Sequence, residues 1–159
     1  MSASHREKSP VSGVTVLCQE LTMADHGDVV DIEKQSFSQP WSADELRTAI
    51  GDPSAICIGS WLDGEPIGFA IGYLEDTAFH LATLAVLPSQ RGRGYGGSLL
   101  RQVLHRARQR GCIRCTLEVR RLNTEARCLY MSNGFSVDDI CWNYYPNPRD
   151  HAVLMSRRL

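Results

Sequence analysis

The stretch Leu84-Ala-Val-Leu-Pro-Ser-Gln-Arg91-Gly-Arg-Gly-Tyr-Gly-Gly97-Ser-Leu-Leu100 constrains this chain more than any other. An apolar strand enters a loop carrying four glycines and two arginines, and the loop opens directly into a helix. From Gly96 to Arg110 the apolar residues Leu99, Leu100, Val103, Leu104 and Ala107 form one helical stripe under a basic outer face, ended near Gly111. A glycine loop at a helix N-terminus points several backbone N–H groups one way, and the positive end of the helix dipole reinforces them. Phosphate is the natural guest, and Arg91 and Arg93 add full charges.

The rest of the chain supplies strands and helices around that loop. Residues 1–12 are polar and proline-containing, which predicts a disordered tail; residues 13–159 read as a single domain, long enough to bury a core without staples. Val14–Leu21 alternates like a strand, and Ala24–Phe37 has the spacing of a helix interrupted by Pro40. Ser42 with Glu45 three residues on is a capping box for a helix to about Ile50. Ile56–Leu62 and Ile67–Leu74 form a hairpin across Asp63-Gly64-Glu65-Pro66, followed by a strand at His80–Val86. Beyond the glycine-loop helix come a strand at Ile113–Val119, a helix at Asn123–Asn133, a strand at Phe135–Tyr144 and a last one at Ala152–Ser156. The fold class is therefore α/β (α+β), with a mixed, mostly antiparallel sheet of roughly six to seven strands and about four helices.

Gly92-Arg-Gly94-Tyr-Gly-Gly97 satisfies the dinucleotide-binding pattern, and Glu118 falls where a ribose-binding acid would sit. Topology rules against it. A dinucleotide fold needs further strand–helix crossovers, whereas the strands before this loop read as an antiparallel meander and little chain follows Glu118. The Lys-Ser/Thr ending of a nucleotide-triphosphatase loop is also missing.

Read instead as Arg91-x-x-Gly94-x-Gly96 after Leu84-Ala-Val86, the segment resembles the acetyl-CoA site of the GNAT N-acetyltransferases. Phe37-x-x-Pro40-Trp41-Ser42, Leu117-Glu118-Val119-Arg120, Asn123-x-x-Ala126-x-x-Leu129-Tyr130, Gly134-Phe135 and Asn143-Tyr144-Tyr145-Pro146 follow in order. Together they resemble the ribosomal-protein-alanine branch of that family, from about Val14 onward. The resemblance implies a sheet splayed at the strand ending Leu84–Val86, where the backbone of Leu84, Ala85 and Val86 pairs with the pantetheine arm. It implies a pyrophosphate cradle from Arg91 through Gly92, Arg93, Gly94, Tyr95 and Gly96 to Gly97, and a further contact from Asn123, which also caps its helix. The acceptor implied is a protein N-terminus, that of a small-subunit ribosomal protein. Acetylation of a small amine or an internal lysine, and a non-catalytic acyl-CoA-binding module, are the alternatives.

The chemistry needs a group to take a proton from the attacking amine, whose free pKa lies near 7.7–8.0, and one to protonate the departing thiolate. Glu118 ends an otherwise apolar strand, where a carboxylate needs a partner or a task. A salt bridge to a nearby arginine would satisfy it; the resemblance makes it the base. Tyr130 is by itself an ordinary half-buried tyrosine, and by resemblance the acid. Phe37, Trp41, Tyr144 and Tyr145 are core aromatics or the lining of a peptide groove.

Other features are assigned blander roles. Cys112-x-x-Cys115 has no second ligand pair at metal spacing, and in a strand these side chains would face opposite ways, so no metal is expected. Cys128 is expected to be a small buried packing residue, and His80 a structural or solvated histidine near the cleft. A net charge of −1 gives no field for nucleic acid, and no apolar run reaches the ~20 residues of a membrane span. A cytoplasmic protein with reduced thiols, monomeric or weakly dimeric, is expected.

Overall fold

Strands form where apolar residues alternate or run together, and the helices between them cover both faces of the sheet they make. The computed structural model describes residues 7–11 and 14–159. Its strands are β1 (Glu7–Val11), β2 (Val14–Glu20), β3 (Ala55–Leu62), β4 (Glu65–Glu75), β5 (Ala78–Val86), β6 (Arg114–Arg120), β7 (Ser136–Pro146) and β8 (Arg149–Arg158). They join one eight-stranded sheet in the order β1-β2-β3-β4-β5-β6-β8-β7, antiparallel everywhere but between β5 and β6. The α/β class and the mixed, mostly antiparallel sheet hold. Part of the expected tail does not: Glu7–Val11 pairs with Val14–Cys18 as an edge strand and takes the count one above the expected range. The remainder of that tail lies outside the described residues.

Among the described residues four α-helices fill the connections: α1 (His26–Ser36), α2 (Ala43–Gly51), α3 (Tyr95–Gln109) and α4 (Thr124–Ser132). Their ends are set by local chemistry. Glu45 N–H donates to Ser42 Oγ at 3.1 Å and Ser42 N–H to Glu45 Oε2 at 2.7 Å, closing the predicted capping box of α2. Asn123 Oδ1 accepts from Ala126 N–H at 3.1 Å and starts α4. Gly94, at φ +86°, is the N-cap of α3 in a left-handed conformation that only glycine takes without cost.

The core lies on both sides of the sheet. Leu99, Leu100, Val103, Leu104 and Ala107 of α3 press on Phe79, Leu81, Cys115, Leu117 and Met155. On the opposite face Val29, Ile32, Leu46 and Ala49 of α1 and α2 cover Cys57, Phe69, Ile71 and Ala85. Full burial of a side chain such as Phe69 or Phe79 contributes about 1.5–3 kcal/mol. Cys112 and Cys115 belong to the same apolar cluster, because β6 begins only at Arg114 and Cys112 precedes it. The expectation that they face opposite ways fails for that reason.

Two irregularities shape the middle of the sheet. In the β4–β5 pair Ile71 faces Thr83 and Gly72 faces Leu81, so Ala82 is an unopposed extra residue that bends β5. Gly72 lies against this bend, where an added Cβ would sit 2.1 Å from the Phe79 ring. The parallel β5–β6 pair consists of three rungs, Ala78–Arg114, Phe79–Cys115 and His80–Thr116. Past His80 the two strands part.

Candidate active site

A parted sheet exposes backbone and side chains that would otherwise be buried, and a cleft opens here between β5 and β6. One side of it is a cavity of about 490 Å³ bounded by the end of β5, the glycine loop, the start of α3 and α4. The other is a cavity of about 400 Å³ bounded by Glu33 of α1, the Phe37–Trp41 connection, β5, β6, α4 and the β7–β8 turn. Phe37, Leu84, Asn123 and Ala126 line both, so the two meet at the splay.

The first cavity is lined by Leu84, Ala85, Val86, Arg91, Gly92, Gly94, Tyr95, Gly96, Gly97 and Asn123, which brings together all of the predicted donor site except Arg93. The first intrahelical bond of α3 runs from Ser98 N–H to Gly94 O at 3.2 Å, so the N–H groups of Tyr95, Gly96 and Gly97 lie ahead of it. Such a cluster of donors at the positive end of a fifteen-residue helix fits a pyrophosphate. The charges are less free than expected. Arg91 Nε donates to Val86 O at 3.0 Å, and Arg93 turns toward Gln90 Oε1 at 3.4 Å. Tyr95 offers only backbone, since its side chain is buried with Val16, Ile67 and Val86.

The second cavity holds Glu118, Tyr130, Phe37, Trp41 and Tyr145 together. Tyr144 is not among its walls; half exposed, it meets Tyr145 edge-on at 4.9 Å. Glu118 projects from β6 with its side chain 33% exposed, and its partner is a histidine rather than an arginine: His80 Nε2 lies 2.9 Å from Glu118 Oε2. Tyr130 is almost fully buried, packs on Phe135 at 5.7 Å, and is pushed well above the ordinary phenol pKa by that burial. Tyr145 is pushed up to about 12, mainly by burial, then by neighbouring Tyr144. Arg120 sits 4.2 Å over the Tyr145 ring and donates to Pro148 O at 2.7 Å and Asn147 O at 3.2 Å, tying β6 to the β7–β8 turn.

Three placements escaped the sequence reading. Glu33 is 1% exposed on the apolar face of α1 and aims into the cleft. Its signal was an acid at the i+4 position of the stripe begun by Val29. Cys128, expected inside, is exposed and lines the first cavity. His80, with its side chain 26% exposed, pairs with Glu118, a contact the sequence does not mark.

Known proteins resemble this chain in sequence and in fold. The acetyltransferase (GNAT) family profile matches residues 27–135. A [ribosomal protein bS18]-alanine N-acetyltransferase of Haemophilus influenzae is 32% identical over 143 residues, covering 88% of this chain and 97% of that protein. The crystal structure of the ribosomal-protein-S18-alanine N-acetyltransferase from Escherichia coli superposes with a TM-score of 0.84 at 27% identity, covering 90% of this chain and 93% of that one. Ard1 from Thermoplasma volcanium superposes with a TM-score of 0.81 at 25% identity, covering 91% and 97%.

Proposed function

The chain belongs to the acetyltransferase (GNAT) family and is an acetyl-CoA-dependent N-acetyltransferase, and from that premise we propose that its acceptor is a protein N-terminal α-amine, the N-terminal alanine of a small-subunit ribosomal protein. The observation that carries this reading is the meeting of the two cavities, with Glu118 and Tyr130 in the one that adjoins the glycine-loop side. The names of the relatives similar over almost their whole length support the acceptor. The reaction would then take place in the cytoplasm, where ribosomal proteins are made.

Acetyl-CoA supplies the acetyl group and a thiolate leaving group. Each remaining requirement has a candidate in the chain. The amides ahead of Ser98 would receive the pyrophosphate, and the backbone of Leu84–Val86 on the side away from β4, where Val86 O already accepts from Arg91, would hydrogen-bond the pantetheine arm. Glu118, partly open to solvent, would take the proton from the amine directly or through one water. Tyr130, kept neutral because burial disfavours phenolate, would offer its hydroxyl as a hydrogen-bond donor to the departing sulfur. Phe37, Trp41 and Tyr145 would wall the channel for the first residues of the acceptor. Direct attack in a ternary complex needs no acyl-enzyme.

The test is mass spectrometry of short peptides with varied N-termini after incubation with enzyme and acetyl-CoA. Acetylation at the α-amine of alanine-starting peptides is expected, and modification of lysine side chains alone would overturn the reading. Glu118→Gln should lower kcat by on the order of a hundredfold, as expected for loss of a general base, while acetyl-CoA affinity holds.

A further inference from the structure

His80 stands on the last rung before β5 and β6 part, and both of its ring nitrogens are engaged. Nε2 lies 2.9 Å from Glu118 Oε2, and Nδ1 lies 2.8 Å from Thr116 Oγ1. An ionised carboxylate only accepts hydrogen bonds, so Nε2 must carry a proton. In the neutral ring Nδ1 is then bare and accepts from the Thr116 hydroxyl. Thr116 and Glu118 are alternate residues of β6 and present their side chains to the same face. With the ring neutral, Thr116, His80 and Glu118 form a chain with a single consistent direction: hydroxyl to imidazole to carboxylate.

We propose that His80 is a positioning residue for the acetyl transfer, held in one tautomer by Thr116 so that it fixes Glu118 Oε2 and leaves the second carboxylate oxygen aimed at the incoming amine. The proposal rests on Glu118 being the base. It does not make the imidazole a proton carrier, because Nε2 is already protonated and Nδ1 faces Thr116 rather than the cavity. Its effect is geometric. A carboxylate on a partly exposed side chain samples several rotamers, and a proton acceptor works only within hydrogen-bond reach of the attacking nitrogen.

Steady-state kinetics with acetyl-CoA and an alanine-starting peptide test this, with thermal unfolding as the check on folding. His80→Ala should lower kcat on the order of tenfold, the kinetic equivalent of one hydrogen bond to a charged group, and leave both KM values within about twofold. His80→Gln keeps an N–H at the position of Nε2 and should recover most of that loss, whereas Thr116→Val should show a smaller fall. If His80 acts through the carboxylate, His80→Ala combined with Glu118→Gln is no slower than Glu118→Gln alone. Unchanged kcat in His80→Ala alongside a slow Glu118→Gln overturns the proposal, as do losses that multiply in the double variant. An unchanged kcat in Glu118→Gln overturns the base itself. Should His80→Ala unfold, Thr116→Val and the glutamine variant carry the same comparison.

Discussion

Glu33 is a carboxyl group in a place that suits a leucine. Its Oε1 accepts from Trp41 N–H at 3.1 Å and its Oε2 from the Thr83 hydroxyl at 3.4 Å, and both bonds favour the charged form. Burial acts the other way and is the larger effect, so its pKa is raised above 4.5. As pH rises through the ordinary carboxylate range, the unfolded chain loses this proton while the folded protein keeps it. The stability it contributes is therefore complete below pH 4.5 and is lost as pH rises through the folded value. Glu33→Gln retains an acceptor for Trp41 and cannot ionise. Melting curves should show it gaining on the parent protein between about pH 4.5 and neutrality; a difference that does not vary with pH would mean the carboxyl is already charged when folded. Glu118 and Tyr130 were legible because they sit inside family motifs. Glu33 was not, since a helical acid reads as solvated until the sheet it packs against is known.

At the scale of elements, helix ends were the most legible features, because a cap is a contact between near neighbours. The capping box of α2 and the Asn123 cap formed as read. The bulge at Ala82 depends on which residues of β4 lie opposite, and the chain offers no local mark of it. The glycine loop invites a paired test. Gly94 at φ +86° and Gly111 at φ +89° flank α3, and at neither would an added Cβ meet an atom within 4 Å. Alanine at either position costs about 1–2 kcal/mol in backbone strain alone. Gly94→Ala should lower the melting temperature and also weaken acetyl-CoA binding measured by calorimetry. Gly111→Ala should lower the melting temperature with the affinity intact. Equal affinities in the two would place the phosphates elsewhere.

For the whole molecule, the distribution of thiols reports how the protein is enclosed. Cys18, Cys57, Cys112 and Cys115 are buried, and burial pushes Cys57 and Cys115 up to about 12, whereas Cys128 and Cys141 are exposed. Alkylation acts on thiolate, so the folded protein at pH about 8 should take label at Cys128 and Cys141 before the other four. Acetyl-CoA should shield Cys128, which lines the first cavity, and leave Cys141 reactive; equal protection of both, read by peptide mapping, would count against the donor site. The order of the sheet was legible only in part, since β1 pairs from a stretch whose composition reads as tail. The three-rung junction has a mechanical consequence. Beyond His80 the six remaining residues of β5 run about 20 Å paired with β4 and not with β6. Were β4 and β5 to rotate together by about 3° about the fork, the strand end would move by about 1 Å, a displacement large enough to change a reacting distance. His80 lies at the fork itself, so its end of the contact with Glu118 sits where such a displacement is smallest.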